Sequence, residues 1–133
     1  MSLFDQFETV ALDRLFGSGD PVQYEVGLSK NTIVDTGVGL VEPSGGSYAR
    51  VTLANDGTTW FNATTTGGIA SKKNKIAITF PTATASWGAI YSWFLRDPSS
   101  GLYVIFGNLA TVKTVNSGDI FRIPASGMDL TVD

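Results

Sequence analysis

The chain has 133 residues, a length typical of one domain with its own hydrophobic core. Cysteine and histidine are both absent, which excludes disulfides, thiolate metal sites and acid–base catalysis by imidazole. With a formal net charge of -3 and one short basic run at Lys72, Lys73 and Lys75, the chain offers no cationic surface to nucleic acid.

The N-terminal segment has the pattern of an amphipathic helix. In residues 2–16, "SLFDQFETVALDRLF", apolar side chains recur at nearly helical spacing, with Ser2 and Asp5 placed as a capping box. Gly17 is expected to end the helix. The apolar positions cover more than one narrow stripe, so residues 1–17 are predicted to form a helical arm that is buried on a broad surface.

Beyond "GSGDP" at 17–21, short segments rich in Val, Ile, Thr, Tyr and Phe alternate with turn signals made of Gly, Pro, Asn and Asp. This spacing indicates a mainly β fold, an antiparallel β-sandwich that is jelly-roll-like, and it assigns residues 22–133 to that domain. The predicted strands span roughly residues 22–29, 48–54, 58–62, 75–80, 87–95, 102–107, 119–123 and 128–132.

No catalytic, cofactor-binding or metal-binding residue is predicted. Asp20, Asp56, Asp97 and Asp119 each lie beside a Gly or Pro at a predicted turn, where an Asp side chain caps local backbone groups. A carboxylate hydrolase with a pair such as Glu42 and Asp56 is the enzymatic alternative that the sequence leaves open. No apolar run approaches the ~18 residues of a membrane-spanning helix, so no membrane partner is expected.

The segment "FPTATASWGAIYSWFLRD" at 80–97 concentrates aromatic residues on a predicted strand. Alternation puts Trp87, Tyr91 and Trp93 on one face and Ile90 with Phe94 on the other, so both faces are apolar. The following strand repeats this two-faced pattern. One face fits a core, whereas the other needs a cover, and the N-terminal helix, a neighbouring subunit and a bound sugar ring are three candidates.

The predicted protein-interface residues come from the helical arm and from this aromatic hairpin. They are Leu3, Phe4, Phe7, Leu12, Leu15, Phe16, Tyr91, Trp93 and Tyr103. A competing hypothesis uses Trp60, Trp87, Trp93 or Tyr91 as stacking platforms for carbohydrate. The sequence does not decide between them, because a one-residue change of register moves every side chain of a strand to its other face.

Three segments in fixed order carry a family resemblance. They are "EPSGGSYARVTL" at 42–53, "ITFPTATASWGAIYSWFLRD" at 78–97 and "LYVIFGNLATVKTVNSGDIFRIPASGMDLTVD" at 102–133. In this order they resemble small virion proteins of tailed bacteriophages, often described as tail-fibre or accessory structural proteins. The resemblance covers residues 22–133 and implies a β-sandwich building block of the virion, made in the host bacterial cytoplasm, with no catalytic motif and no cofactor.

Within that family two roles are expected from the sequence. A chain of 133 residues leaves no room for a long fibre shaft, which favours a capsid decoration or cement protein on the outer head shell. Such a protein would contact the major capsid protein or other virion proteins as a homo-oligomer, with a trimer favoured. The alternative is a tail-fibre or baseplate component that binds carbohydrate on the host surface.

Overall fold

The computed structural model of the chain describes residues 4–132, without the side chains of residues 5, 6 and 132. Within these residues one helix precedes nine strands. The elements are α1 (Asp5–Leu15), β1 (Gln23–Ser29), β2 (Val51–Ala54), β3 (Thr64–Thr66), β4 (Ile69–Lys73), β5 (Ile78–Thr79), β6 (Gly88–Arg96), β7 (Tyr103–Val115), β8 (Arg122–Ile123) and β9 (Asp129–Val132). The predicted fold class, mainly antiparallel β with an N-terminal helix, is confirmed.

The start of α1 differs from the prediction. The N-cap residue is Phe4, whose backbone is extended (φ -66°, ψ 141°) and whose side chain makes no capping hydrogen bond. The capping box predicted from Ser2 and Asp5 stays a prediction, because Ser2 and the side chain of Asp5 lie outside the described part of the chain. The C-terminal end follows the expectation, because Gly17 adopts a φ of 111°, in the left-handed region that favours glycine.

The chain forms two compact units. Unit 1 contains the residues up to Tyr24, Leu53–Ala77 and the residues from Ile123 onward. Unit 2 contains Glu25–Thr52 and Ile78–Arg122. The division into an arm at 1–17 and a domain at 22–133 stays a prediction, because compactness alone does not test which segment folds independently.

Unit 1 is built around the antiparallel sheet β3–β4–β9, on which α1 packs. The inner side of α1 consists of residues four apart, Glu8, Leu12 and Phe16, all of them buried. The ring of Phe16 contacts Tyr24 and Trp60 at centroid distances of 5.4 and 5.5 Å. The apolar core of this unit is Leu12, Phe16, Tyr24, Leu53, Trp60, Ala70, Ile123, Met128 and Leu130.

Strands β3 and β4 were not predicted, and the predicted strand at 58–62 is not a strand. Trp60 makes only an isolated bridge with Asn74. Every side chain of β3 is exposed, and two glycines separate it from β4. The threonines of β3 and Ile69 of β4 are β-branched, but the hairpin is short and lacks the alternation of apolar and polar residues by which a half-buried strand is recognised in a sequence.

Asn55 fixes the chain that leaves α1. Its side chain is fully buried, and its Oδ1 accepts the Gly17 N–H at 2.6 Å. Its Nδ2 donates to the carbonyls of Leu15 and Pro21 at 3.2 and 2.9 Å. One amide thus satisfies three backbone groups at and beyond the helix end, which would otherwise be buried without partners.

Unit 2 contributes most of the four-stranded sheet, whose order is β2–β1–β6–β7. Strand β6 pairs antiparallel with both β1 and β7, and Phe94 lies opposite Gly27 on one side and Phe106 on the other. Between Asn108 and Lys113, β7 bulges away from β6, because only Tyr91 lies opposite these four intervening residues. Strands β5 and β8 form a separate two-stranded sheet.

Tyr48 anchors the segment that precedes β2. Its hydroxyl accepts the Leu28 N–H at 3.0 Å and donates to Glu42 Oε2 at 2.8 Å. Its ring stacks on Phe80 at 6.4 Å and meets Trp87 edge-on at 5.3 Å. The residues from Glu42 to Tyr48 are therefore held against unit 2 by both polar and aromatic contacts.

Replacing Asn55 by Ala is expected to lower the free energy of unfolding by about 2–4 kcal/mol, because it removes three hydrogen bonds from buried backbone groups. Chemical denaturation of the purified chain measures this change. Asn62→Ala at an exposed position is the matched control and should shift the midpoint little. Equal midpoints for both variants would contradict the assignment of Asn55 as an anchor.

Candidate functional site

The structure distributes the predicted interface residues over exposed and buried positions. Leu3 lies outside the described residues. The exposed residues are Phe4, Phe7, Leu15 and Tyr103, Tyr91 is half-buried, and Leu12, Phe16 and Trp93 are buried. Their assignment to a protein interface stays a prediction. The exposed members fall into two groups. The first lies at α1 in unit 1, and the second is Tyr103 alone, at the start of β7 in unit 2.

The first group forms what we term the α1 outer face: Phe4, Phe7, Ala11 and Leu15. Phe7, Ala11 and Leu15 are four residues apart, which places them along one side of the helix, and Phe4 is the N-cap residue that precedes it. Phe4 is 83% exposed, and Phe7 and Leu15 are each 45% exposed. Since Leu12 and Phe16 are buried, α1 carries apolar residues on two sides, and only the inner side is covered within the described chain.

An ion pair fixes the flank of α1 on unit 1. Lys72 Nζ donates to Asp13 Oδ1 at 2.7 Å, and the Ala63 N–H donates to the same oxygen at 2.9 Å. The Lys72 side chain is 4% exposed and that of Asp13 is 47% exposed, so the pair joins a buried ammonium to a partly solvated carboxylate. Partial burial opposes ionisation, but the hydrogen bonds from Lys72 and Ala63 hold the pKa of Asp13 below its ordinary value of 3.8.

Two buried polar atoms of unit 1 have no hydrogen-bond partner among the described residues. They are Glu8 Oε2, on the inner side of α1, and Trp60 Nε1. A carboxylate oxygen buried without a donor costs free energy, since water is lost without compensation. Glu8 therefore weakens the packing of α1 on the rest of unit 1, whereas Leu12 and Phe16 strengthen it.

The second group lies beside a network of four charged side chains in unit 2, which we term the Arg50 network: Glu25, Glu42, Arg50 and Arg96. The guanidinium of Arg50 donates through Nε and Nη2 to the two oxygens of Glu42, at 3.1 and 2.5 Å. Its Nη1 donates to Glu25 Oε1 at 3.3 Å, and Arg96 Nη1 donates to that oxygen at 2.8 Å. The hydrogen bonds to Glu42 raise the pKa of Arg50, so its charge is permanent.

Two aromatic rings lie against this network. Arg50 Cζ is 5.9 Å from the ring centroid of Phe94, and Tyr103 meets Phe94 edge-on at 5.2 Å. Phe94 rests on Gly27 of β1, where any Cβ would collide with the ring. Phe94 is buried, whereas Tyr103 is 53% exposed. The arrangement leaves one exposed aromatic ring beside charged side chains that are each about a quarter exposed.

All three tryptophan side chains are buried and contribute to packing. Trp60 and Trp87 are each 2% exposed, and Trp93 is buried with its ring on Gly107. Trp87 Nε1 donates to the Gly46 carbonyl at 2.8 Å. The stacking of sugar on Trp60, Trp87 or Trp93 is therefore wrong for this structure, because none of these rings offers a face to solvent.

The turn roles predicted for aspartates are confirmed at three positions. Asp56 accepts the hydroxyl and N–H of Thr58, Asp97 accepts those of Ser99, and Asp119 accepts the Asn116 N–H. Hydroxyl hydrogen bonds are the main reason that the pKa values of Asp56 and Asp97 lie below the ordinary value. Glu42 and Asp56, proposed above as an alternative catalytic pair, each have such local partners.

The Arg50 network was missed by sequence reasoning, because its members come from four distant segments of the chain. One usable signal was present. Gly27 and Gly107 interrupt two strands, and a glycine inside a strand marks a close approach of another group. Each of them lies under an aromatic ring, Gly27 under Phe94 and Gly107 under Trp93.

Within the part of the chain that the structure describes, no three acidic side chains come together as a metal site would require. The helix α1, the one helix of that part, is too short and too polar to span a membrane.

Comparison with known proteins gives one family. The model of the family described as "Podophage GP4 fiber I protein gp80" matches residues 6–131. The match includes α1 and all nine strands except for Asp5 at the start of α1 and Val132 at the end of β9. A search of curated proteins finds no match.

Asp13→Asn is expected to lower the free energy of unfolding at neutral pH by about 1–3 kcal/mol, because the buried Lys72 ammonium loses its carboxylate. Since the pKa of Asp13 is lowered by folding, the native pair stabilises the fold fully above 3.8 and loses this effect as pH falls below that value. The stability difference between the two proteins should therefore narrow on acidification. Melting temperatures measured from neutral to acidic pH test this, with exposed Asp35→Asn as control, and parallel curves would contradict it.

Glu8→Leu is expected to raise the free energy of unfolding by about 1 kcal/mol, because it replaces a buried carboxyl group, one oxygen of which has no hydrogen-bond partner within the described residues, by an apolar side chain. Glu8→Gln keeps a polar end at the same place and should gain less. Denaturant midpoints of the three proteins measure the effect. A loss of stability in Glu8→Leu would show that Glu8 has a favourable partner after all.

Proposed function

The chain belongs to the podophage GP4 fiber I protein (gp80) family, and from this membership we propose that it is a non-enzymatic structural subunit of a virion fibre. The resemblance to small virion proteins of tailed phages is confirmed by the family match. The protein is thus a structural component of the phage virion, where it interacts with other virion proteins. Its role as a fibre subunit and its lack of catalysis are the proposed parts.

The observation that carries the proposal is the α1 outer face. Phe4, Phe7 and Leu15 expose apolar side chains on a helix whose other side is already packed. Full burial of a large apolar side chain is worth about 1.5–3 kcal/mol before the cost of ordering the partners. Three such residues on one side of a helix therefore give a subunit a compact attachment surface for another virion protein.

The surroundings of this face support attachment by packing. Arg14 lies beside it, with its guanidinium 5.7 Å from the ring centroid of Phe7. A cation over a ring adds a polar margin to an apolar contact. An apolar centre with a polar edge is the usual composition of a protein interface.

Absence of catalysis is supported by residue inventory. The sequence has no histidine or cysteine, and the carboxylates at Asp56, Asp97 and Asp119 are occupied by turn hydrogen bonds. Glu25 and Glu42 are held by arginines in the Arg50 network. None of these carboxylates has the environment of a general acid or base.

A fibre subunit and a head-shell decoration protein would use the same kind of apolar attachment. We favour the fibre because the family description names one, and because a shaft assembled from several chains does not need to lie within 133 residues. The capsid decoration hypothesis and the trimeric state stay proposals. Immunogold labelling of intact virions distinguishes the two locations, and labelling confined to the head shell would overturn the fibre assignment.

Phe4→Ser combined with Phe7→Ser is expected to leave a folded chain that is incorporated into virions at less than about one tenth of the native amount. Burial of two phenylalanine rings is worth several kcal/mol, and 1.4 kcal/mol already corresponds to tenfold. Quantitative blotting of purified particles from complemented infections measures incorporation.

Ile120→Ser is the matched control, since Ile120 is an exposed apolar residue of unit 2. Circular dichroism shows whether each variant is folded. Native incorporation of the double variant would remove the α1 outer face from the proposal.

A further inference from the structure

Tyr103 is the most exposed of the seven tyrosine and tryptophan rings. Trp60, Trp87 and Trp93 are buried, and Tyr103 is 53% exposed. Its position is fixed, because its backbone pairs with Arg96 across β6 and β7 and its ring meets the buried Phe94 ring at 5.2 Å. The ring of Tyr103 is therefore an ordered aromatic surface that faces solvent.

Hydrogen-bonding groups with unused capacity lie beside this ring. Glu25 Oε1 accepts from both Arg50 and Arg96, while Glu25 Oε2 has no hydrogen bond within the described residues. Arg96 donates through Nη1 alone in that part of the chain, so Nη2 and Nε keep their hydrogens available. These side chains are 23% and 25% exposed, so both reach solvent.

The turn before Tyr103 keeps Arg96 uncovered. Gly101 has a φ of 77°, and a Cβ placed there would lie 3.4 Å from Arg96 Nη2. A side chain at this position would approach the free edge of the guanidinium, whereas glycine leaves it open. Tyr103, Glu25 and Arg96 thus present an aromatic ring, a free acceptor and free donors at one place.

We propose that this patch binds a neutral pyranose ring. The C–H face of the sugar lies against Tyr103, its hydroxyls donate to Glu25 Oε2, and its oxygens accept from Arg96. The charges of Glu25, Glu42, Arg50 and Arg96 sum to zero, which favours an uncharged polar ligand over a phosphate or a cation. A few fixed polar groups around an apolar surface are what a small-molecule site requires.

The Arg50 network makes the patch ready for binding. Glu25 is held by two arginines, and Arg50 is held in turn by both oxygens of Glu42. Groups that are already ordered lose little freedom when a ligand arrives, so more of the contact energy appears as affinity. All these residues belong to unit 2, whereas attachment through the α1 outer face uses unit 1, so either proposal can fail without the other.

The test uses the full chain labelled with ¹⁵N and titrated with methyl pyranosides of glucose, galactose, mannose and rhamnose. At least one of these sugars should shift the amide signals of Arg96, Gly101 and Tyr103 in a saturable manner. Sorbitol, an open-chain polyol with hydroxyls but no ring face, should not. Tyr103→Ala should weaken binding about tenfold, as expected for loss of an aromatic contact, while Tyr103→Phe should keep most of it.

Phe61→Ala is the matched control, because Phe61 is also an exposed ring beside a cation, with Lys75 Nζ 5.8 Å from its centroid. That variant should bind as the native chain does. Spectra of each variant report whether it is folded, and Tyr103→Phe keeps the test valid if Tyr103→Ala unfolds. The proposal is overturned if no pyranoside shifts these signals. It is also overturned if Tyr103→Ala binds the sugar normally, whether or not that variant is still incorporated into virions.

Discussion

The guanidinium of Arg50 is the contact on which the surface of unit 2 depends. It joins the segment before β2 to β1, because it binds both oxygens of Glu42 and one of Glu25. Through Glu25 the connection reaches Arg96 on β6. A planar fork of five donors makes this geometry, and the three donors of a lysine ammonium would not reproduce it. Glu42 in turn receives the Tyr48 hydroxyl, so the same guanidinium helps to fix the aromatic contacts of Tyr48.

Buried amides have the corresponding part in unit 1. Its strands are short, so many of its backbone groups lie outside regular ladders and need other partners. Asn55 satisfies three such groups around the end of α1. Asn74 does the same elsewhere, since its side chain donates to the carbonyls of Ile76 and Pro124 and accepts the Met128 N–H. Irregular chain is thus held by side-chain hydrogen bonds where a longer sheet would use its own ladder.

Sequence reasoning found the helix but not its orientation. The 3.6-residue period predicts α1 correctly because apolar residues recur along it. The period does not tell the inner side from the outer side, since Leu12 and Phe16 are as apolar as Phe4 and Phe7. Burial here is decided by the partners Trp60 and Tyr24, which the chain brings to α1 only on folding.

The aromatic hairpin was predicted as a strand pair, and β6 and β7 confirm it. Its two-faced apolar character has a partly internal cause, because Phe94 lies on Gly27 and Trp93 on Gly107. The absence of two side chains gives these rings room on the backbone of neighbouring strands. Much of the cover that the sequence assigned to a partner is therefore supplied by the sheet itself, and among the aromatic rings of the hairpin Tyr103 is the one left exposed.

The contacts on the inner side of α1 determine how the residues of its outer face are presented. Apolar burial of Leu12 and Phe16 holds α1 down but tolerates rotation and sliding, because hydrophobic contact has little directionality. The Asp13–Lys72 pair and the hydrogen bonds from Asn55 and the Tyr24 hydroxyl to the Leu15 carbonyl are directional, and they remove that freedom. The outer residues Phe4, Phe7 and Leu15 are consequently presented in one arrangement. A partner that binds them meets an ordered surface, so the stability of the packing of α1 lowers the ordering cost of the interface.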